Sequence, residues 1–418
     1  DGGTSASTVT VADADRVVLN DGGTMKQVAV TSLAAYFDDE ITAMPNLVTV
    51  GAAQQLTTIA GIPLYQGDTG SIYTHNVSGT DSTAQYNTAY GLTALDAITT
   101  GDNNNAFGYG ALGANTTGSN AVAVGFNALA ANTTGDNNIG IGKSTLLINT
   151  EGHSNIAIGL NPLKANTTGN NNVGIGRDAL TANTTASNNV AVGYLTLTAN
   201  TTGTRNVAVG FQSLDTNTTA SNNTAMGAYS LALNTTGNFN AAFGDTALYT
   251  NTTGASNVAV GDHSLYANTT AGSNTAVGAN SLLANTTGTR NVAVGTNALD
   301  TVTTVNDNTA VGHDALTANT SGFKNTAVGS GAGEGNTTGD NLAAFGFNAL
   351  ENNTTADDNT ALGSQALFTN TTGAKNTAVG TGAMYNNTTA SYNTAIGVES
   401  LDANTTGANN TAVGMSSL

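Results

Sequence analysis

The amino-acid sequence predicts an all-β protein, a parallel β-solenoid or β-roll of 17-residue coils. Glycine recurs every 17 residues from Gly91 to Gly414 with no insertion or deletion, so nineteen complete coils separate these two residues. A period this short is too small for a helical hairpin and suits one rung of a stacked β structure. The composition agrees, because Gly, Asn, Thr and Ala dominate and the chain has 3 Pro, no Trp and no Cys.

The sequence pattern divides the chain into three parts. Residues 1–45 are predicted to form a small mixed α/β module, in which a β-hairpin turning at Asn20–Gly23 precedes a short helix after Thr31. Residues 46–86 alternate short apolar stretches with Gly and predict a β-rich transition. Residues 87–418 form the predicted solenoid shaft, which at about 4.8 Å per coil is about 90 Å long.

The coil that begins at Gly278 shows the repeat, and its residues are numbered here as positions 1 to 17. Position 1 is Gly in every coil (Gly278, then Gly295), which predicts a backbone with φ > 0 or a contact too close for a Cβ atom. Position 5 is Leu almost throughout, as at Leu282. Large apolar side chains therefore recur once per coil at a position suited to a core.

Positions 16 and 17 are the strongest indication of how the coil packs. Position 16 is always Ala or Gly, as at Ala293, and position 17 is always large and apolar, as at Val294. Neighbouring strand residues point to opposite faces, so this pattern predicts that both faces are buried, one inside the coil and one against another chain. The alternative is a monomeric solenoid whose tight corner requires Ala. Two large apolar side chains per coil, worth about 1.5–3 kcal/mol each, are few for the cost of ordering 17 residues, which also favours association.

Asn and Thr form the most regular polar ranks of the repeat. Position 8 is Asn (Asn285) in all but two coils, position 9 is always Thr (Thr286), and position 14 is a second Asn rank (Asn291). These residues predict turns and hydrogen-bonded ladders between coils. The Asn-Thr-Thr runs are also N-glycosylation acceptors in form. Positions 2, 3, 6, 12 and 13 vary and are predicted to face solvent.

Charge and composition exclude several classes of function. The net charge is −18 with 9 Lys and Arg, which argues against nucleic acid or an anionic membrane as a partner. No apolar run reaches the length of a membrane span. No calcium-binding repeat occurs, so we expect no metal and no cofactor. The chain begins at Asp1, from which we expect it to be a segment of a longer product.

Catalysis is not expected. The four His residues are scattered, and Asp262-His263-Ser264 resembles a triad only in composition, because consecutive strand residues cannot converge on one substrate atom. The carboxylates hold no fixed coil position, whereas a polysaccharide-cleaving site requires two of them across a groove.

The runs Asn-Thr-Ala-Val-Gly (308–312, 376–380) and Asn-Val-Ala-Val-Gly (291–295) resemble two related groups of proteins. These are the head repeats of trimeric autotransporter adhesins, which form trimeric β-rolls, and bacteriophage tail fibres that carry the longer Ala-Leu-x-x-Asn-Thr-Thr-Gly form. Asp13 to Phe37 also looks like a short module of tail-fibre and virion proteins. The resemblance covers about residues 87–418.

The resemblance implies a structural fibre protein, the shaft of a phage tail fibre that mediates host attachment, located in the extracellular virion. It implies a homotrimer, other virion tail proteins as partners of the N-terminal module, and a host-cell receptor bound by a distal part outside this chain. The alternative is a bacterial surface adhesin that binds its host or matrix through the repeats. A more remote alternative is an ice-binding solenoid, disfavoured because the paired Thr residues are adjacent and form no flat Thr-x-Thr face.

Overall fold

The computed structural model describes residues 16–21, 24–29, 58–59, 62–63, 65–66, 71–74 and 83–418. The chain separates into two compact units, Asp1–Tyr65 and Gln66–Leu418. All regular secondary structure within the described ranges is β-strand, so the prediction of an all-β parallel solenoid is confirmed. The helix expected after Thr31 lies outside the described residues.

The first unit contains two short antiparallel pairs. Strand β1 (Arg16–Asp21) pairs with β2 (Thr24–Ala29), with Asp21 opposite Thr24. This pair matches the predicted hairpin, with Gly22-Gly23 between the strands. Strand β3 (Thr58–Ile59) pairs with β4 (Ile62–Pro63), and β5 spans Tyr65–Gln66.

The second unit is a stack of short parallel strands, one per coil. In chain order they are β6 (Ile72–Tyr73), β7 (Thr88–Tyr90), β8 (Asn105–Phe107), β9 (Val122–Val124), β10 (Ile139–Ile141), β11 (Ile156–Ile158), β12 (Val173–Ile175), β13 (Val190–Val192), β14 (Val207–Val209), β15 (Thr224–Met226), β16 (Ala241–Phe243), β17 (Val258–Val260), β18 (Thr275–Val277), β19 (Val292–Val294), β20 (Thr309–Val311), β21 (Thr326–Val328), β22 (Ala343–Phe345), β23 (Thr360–Leu362), β24 (Thr377–Val379), β25 (Thr394–Ile396) and β26 (Thr411–Val413).

The register of the stack follows the sequence period without a break. From β7 to β26 each strand pairs in parallel with the next, and each residue pairs with the one 17 positions later, as Ala293 does with Ala310. Hydrogen bonds also join the coils outside the strands. The Leu282 amide donates to the Ala298 carbonyl at 3.0 Å and the Thr286 amide to the Thr303 carbonyl at 2.8 Å. The coils are therefore bonded to one another around much of their perimeter.

Four left-handed backbone positions close each coil. Gly278 has φ = 131°, and a Cβ atom there would lie 2.6 Å from the carbonyl carbon of Gly295, so both reasons for an invariant glycine hold. Asn280, Leu282 and Arg290 have φ values of 56°, 51° and 58°. A left-handed Leu is uncommon. It is retained here because the turn directs its side chain into the core, where Leu282 is fully buried.

The interior of the solenoid is narrow and holds one large apolar side chain per coil. Leu282 and Ala293, at positions 5 and 16, are inaccessible to solvent. A Cβ atom added at Gly140, another position-16 residue, would lie 3.3 Å from Leu129 Cγ, so the small residue packs against the Leu rank. Val294, the second large apolar residue of the repeat, lies outside the coil interior and is only half-buried.

Candidate functional site: the surfaces of the solenoid

The buried polar residues of the repeat form two ladders that hold the coils together. The Asn285 side-chain nitrogen donates to Asn268 Oδ1 at 3.1 Å and to the Gly288 carbonyl at 3.0 Å. The Asn291 amide donates to Asn274 Oδ1 at 2.9 Å, and Thr286 Oγ1 donates to the Thr303 carbonyl at 2.9 Å. These residues are therefore structural, because their side-chain hydrogen bonds join one coil to the next or close the turn within a coil.

The buried ladder bears on the glycosylation motifs. Asn285 is fully buried, and both of its side-chain hydrogen bonds use the nitrogen to which a sugar would be attached. A folded coil therefore does not offer this nitrogen to a modifying enzyme. The hydrogen-bonded turn accounts for the Asn-Thr-Thr pattern without sugar.

The outer strand face is defined here as the side chains at positions 15 and 17, from Asn105 and Phe107 to Thr411 and Val413. Alternation along each strand places position 16 inside and positions 15 and 17 outside. This face is uncharged and largely apolar, because position 17 is always apolar while position 15 is Val, Ile, Ala or Thr in all coils but one, and Phe243 and Phe345 are exposed by 37% and 38%. An apolar face that runs the length of a rod is typical of an interaction surface.

A ladder of aromatic rings follows another part of the surface over five successive coils. The ring centroids of Tyr194 and Phe211 are 5.5 Å apart, those of Phe211 and Tyr229 5.1 Å, those of Tyr229 and Tyr249 6.2 Å, and those of Tyr249 and Tyr266 5.4 Å. Such ring pairs contribute about 0.5–1.5 kcal/mol each. The rings pair mainly with one another, so this ladder adds contact energy between coils.

Position 12 was predicted to face solvent, and its side chains are half-buried or exposed, but in most coils they also accept a hydrogen bond from the preceding coil. Asp136 Oδ1 accepts a hydrogen bond from the Ser119 amide at 2.8 Å, and His153 Nδ1 accepts one from the Asp136 amide at 2.9 Å. Asn170 Oδ1 accepts from the His153 amide at 2.7 Å. A short acceptor at position 12 thus satisfies the backbone of the preceding coil. The prevalence of Asp, Asn, Ser and Thr at position 12 was the sequence feature from which these hydrogen bonds could have been predicted.

Position 6 was also predicted to be a solvent position, but several of its carboxylates are partly buried. Burial raises the pKa of Asp215 above its ordinary value. Burial and the charge of Asp314 raise the pKa of Asp300, and burial and the charge of Glu334 raise that of Glu351. Glu334 and Glu351 line a shallow cleft. Among the described residues, no three His, Cys, Asp or Glu side chains are grouped so that they could hold a metal ion. Glu334 and Glu351 therefore form only a pair.

The Asp262-His263-Ser264 sequence does not assemble into a triad. His263 Nδ1 lies 3.0 Å from Asp262 Oδ1, and both side chains are exposed. The Ser264 hydroxyl is buried and donates to the Gly261 carbonyl at 3.0 Å, so it points into the coil, away from the imidazole. His75 lies outside the described residues.

No protein-family model matches this chain, and neither a curated protein nor a solved structure matches it. Within the described ranges no helix has the length and apolarity needed to cross a membrane. The outer strand face is an uncharged strip along the whole stack.

Proposed function

We propose that this chain is the shaft of a phage tail fibre that mediates host attachment, and that it works as a homotrimer in the virion. In this proposal the chain does no chemistry. It holds a receptor-binding part at a distance from the particle, and its N-terminal module binds other tail proteins.

The observation that carries the proposal is the unbroken register from β7 to β26. Each coil donates backbone and side-chain hydrogen bonds to the next, and no loop interrupts the series. Bending such a rod requires stretching hydrogen bonds on one side of many coils at once. Repeats that contact only their neighbours form extended structures, and this one spans about 90 Å at the usual strand spacing.

The apolar outer strand face supports the association of chains. Soluble monomers rarely expose long apolar strips, because association or aggregation removes them from water. The assignment to a phage, and the number of three chains, come from the resemblance of the Asn-x-Ala-Val-Gly runs and of residues 13–37 to tail-fibre proteins.

Imaging of particles and cells from the source culture tests the proposal. Antibodies against the repeat region should label fibres on phage tails, and the purified protein should appear in electron micrographs as straight rods. Label confined to the bacterial surface of virion-free cultures would favour a surface adhesin instead. Purified protein that forms compact particles would overturn the shaft.

A further inference from the structure

We propose that this chain binds a linear acidic polysaccharide, one that carries uronate, sulfate or phosphate groups, on the side of its solenoid. The position-2 strip is defined here as the position-2 side chains of seven successive coils, from the coil of Gly108 to that of Gly210. They are Tyr109, Phe126, Lys143, Leu160, Arg177, Tyr194 and Phe211. The inference goes beyond the proposed function, because it gives the shaft itself a ligand.

The strip presents aromatic rings to solvent at both of its ends. Tyr109 stacks on Phe126 with ring centroids 5.4 Å apart, and Tyr194 stacks on Phe211 with centroids 5.5 Å apart. Tyr109, Phe126 and Phe211 nevertheless remain 51%, 49% and 42% exposed, so packing between coils uses only part of each ring. Such a ring offers an apolar body to the C–H groups of a sugar, and the Tyr hydroxyl can hydrogen-bond to sugar hydroxyls.

Two exposed cations occupy the middle of the strip, between the stacked pairs. Lys143 Nζ lies 6.0 Å from the centroid of the Phe126 ring, and the Arg177 guanidinium carbon lies 5.4 Å from that of Tyr194. Arg177 pairs with Asp178 at 3.2 Å, and Lys143 forms no ion pair within the part of the chain that the structure describes. Two coils, about 10 Å at the usual strand spacing, separate the two cations.

A third cation, Lys164, lies at position 6 of the coil between them and is exposed. Positions 2, 3 and 6 lie on one edge of the coil, because the ring of Tyr229 at position 3 contacts those of Phe211 at position 2 and Tyr249 at position 6. Three cations in three successive coils therefore share this edge. A polymer with repeated anionic groups can form charge-assisted hydrogen bonds with all of them.

The charge of the whole chain directs an acidic ligand to this part of the solenoid. Residues 108–226 contain four Lys or Arg and four Asp or Glu, so they are neutral, and the rest of the chain carries the entire net charge of −18. Position 2 has no carboxylate within the strip, whereas two of the three coils that follow have Asp245 and Asp262 there. An acidic polymer is therefore repelled by most of the chain and attracted where the cations of the strip lie.

The structure favours a polysaccharide over a peptide or a membrane as the ligand. Strands β9 to β14, in the coils of the strip, each pair with a strand on both sides, so an extended peptide finds no free strand edge there. An anionic membrane is a broad surface that would also meet the acidic remainder of the chain. A linear sugar chain is narrow, and its rings follow one another at a spacing close to that of the coils. The strip is about 30 Å long and matches several such rings.

Native gel electrophoresis of the full chain in gels that contain a polysaccharide measures the binding. Polygalacturonate and dextran sulfate should retard the protein, whereas neutral dextran should not. The triple variant Lys143→Gln/Lys164→Gln/Arg177→Gln should bind polygalacturonate at least about tenfold more weakly, because it loses three charge-assisted contacts.

The matched control removes the same charge from position 13 of later coils, in the variant Arg290→Gln/Lys324→Gln/Lys375→Gln. It should bind as the native chain does, whereas a loss of general attraction would weaken both variants equally. Circular dichroism checks that the solenoid has formed in each.

Removal of rings tests the sugar contact separately from the charge. Tyr109→Ala/Phe211→Ala should weaken the binding of polygalacturonate about tenfold, because the C–H groups of the sugar lose their aromatic partners. The control pair Phe239→Ala/Phe347→Ala removes two exposed rings outside the strip and should have no effect.

Each other outcome overturns the assignment. Retardation by neither acidic polymer, or an equal loss in the variants and their controls, overturns the site. Binding that depends on the cations but not on the rings overturns the sugar ligand. Stronger binding to phosphatidylglycerol vesicles than to polygalacturonate assigns the strip to a membrane, and a lower mass of the ring variant in sedimentation assigns it to a second copy. None of these outcomes changes the rods in electron micrographs, which test the proposed function.

Discussion

The side-chain oxygen of Asn285 is buried without a hydrogen-bond donor because Val302 occupies the equivalent position of the next coil. One coil earlier, Asn268 Oδ1 accepts from the Asn285 nitrogen at 3.1 Å. The ladder is thus interrupted at Val302, in one of the two coils, together with that of Ile98, in which an apolar side chain replaces the amide. A buried acceptor left without a donor costs about 1–3 kcal/mol.

Val302→Asn should stabilise the protein, because the new amide can donate to Asn285 Oδ1 and accept from Asn319. We expect the free energy of unfolding to rise by about 1 kcal/mol, after the loss of the buried apolar Val302 side chain is subtracted. The melting temperature, followed by circular dichroism, checks this. The reverse change, Asn268→Val, should lower the melting temperature, because it removes three side-chain hydrogen bonds and leaves Asn251 Oδ1 without its donor. A lower melting temperature for Val302→Asn, a higher one for Asn268→Val, or no change in either variant would contradict the ladder.

Ala293→Leu should be strongly destabilising, since position 16 faces the interior and packs on the Leu rank. Overpacking of this kind costs about 1–3 kcal/mol or more. The control is Arg290→Ala in the same coil, where the exposed guanidinium pairs with Asp307 at 2.6 Å and is expected to matter little. Thermal unfolding of both variants gives the comparison. Equal melting temperatures would show that the interior tolerates extra volume.

Gly278→Ala should destabilise the coil stack for two reasons. Its φ of 131° is strained for any residue with a Cβ atom, at a cost of about 1–3 kcal/mol, and the new methyl group would meet the backbone of Gly295 at 2.6 Å. Gly382→Asn is the matched control. It has φ = 64°, which Asn tolerates, and its nearest neighbour would be Glu399 Cγ at 3.6 Å. Denaturant unfolding should separate the two variants clearly. Similar midpoints would argue against the closing role of position 1.

Mild acid should stabilise the solenoid rather than unfold it. The unfolded chain titrates Asp215 and Asp300 near 3.8 and Glu351 near 4.5, and burial raises the pKa of each in the folded state. Between the unfolded and folded pKa values the folded state binds more protons, so the free energy of unfolding falls as pH rises through this window. The destabilisation caused by burying these charged carboxylates is absent below the pKa of the unfolded state and fully present above the pKa of the folded state.

The melting temperature should therefore rise as pH is lowered from about 7 to about 4.5, and protonation also reduces the repulsion of a chain with net charge −18. Asp307 acts in the opposite sense, because its hydrogen bond with Arg290 lowers its pKa, so its contribution to stability is lost as pH falls through 3.8 and below. Asp215→Asn should reduce the rise. A melting temperature that decreases steadily across this range would show that buried carboxylates do not control the pH dependence.

The sequence by itself determined the architecture of the shaft, since the 17-residue glycine period, the Asn ranks and the Ala-large alternation each express a contact between neighbouring coils. It also predicted that Ala293 is buried and that Asn285 stacks. These features are local to adjacent coils, and a repeat displays them many times over.

Only the tertiary structure decided which side of the strand is inside. Alternation predicts only that Ala293 and Val294 face opposite ways, and either side chain could point inward. In the folded coil, the left-handed turns at Leu282 and Arg290 place the smaller side chain, that of Ala293, inside. The narrow interior is filled by one Leu and two Asn per coil, so the larger Val294 is placed outside. The same closure brings the position-12 side chains over the backbone of the preceding coil, a contact across 17 residues that no single coil reveals.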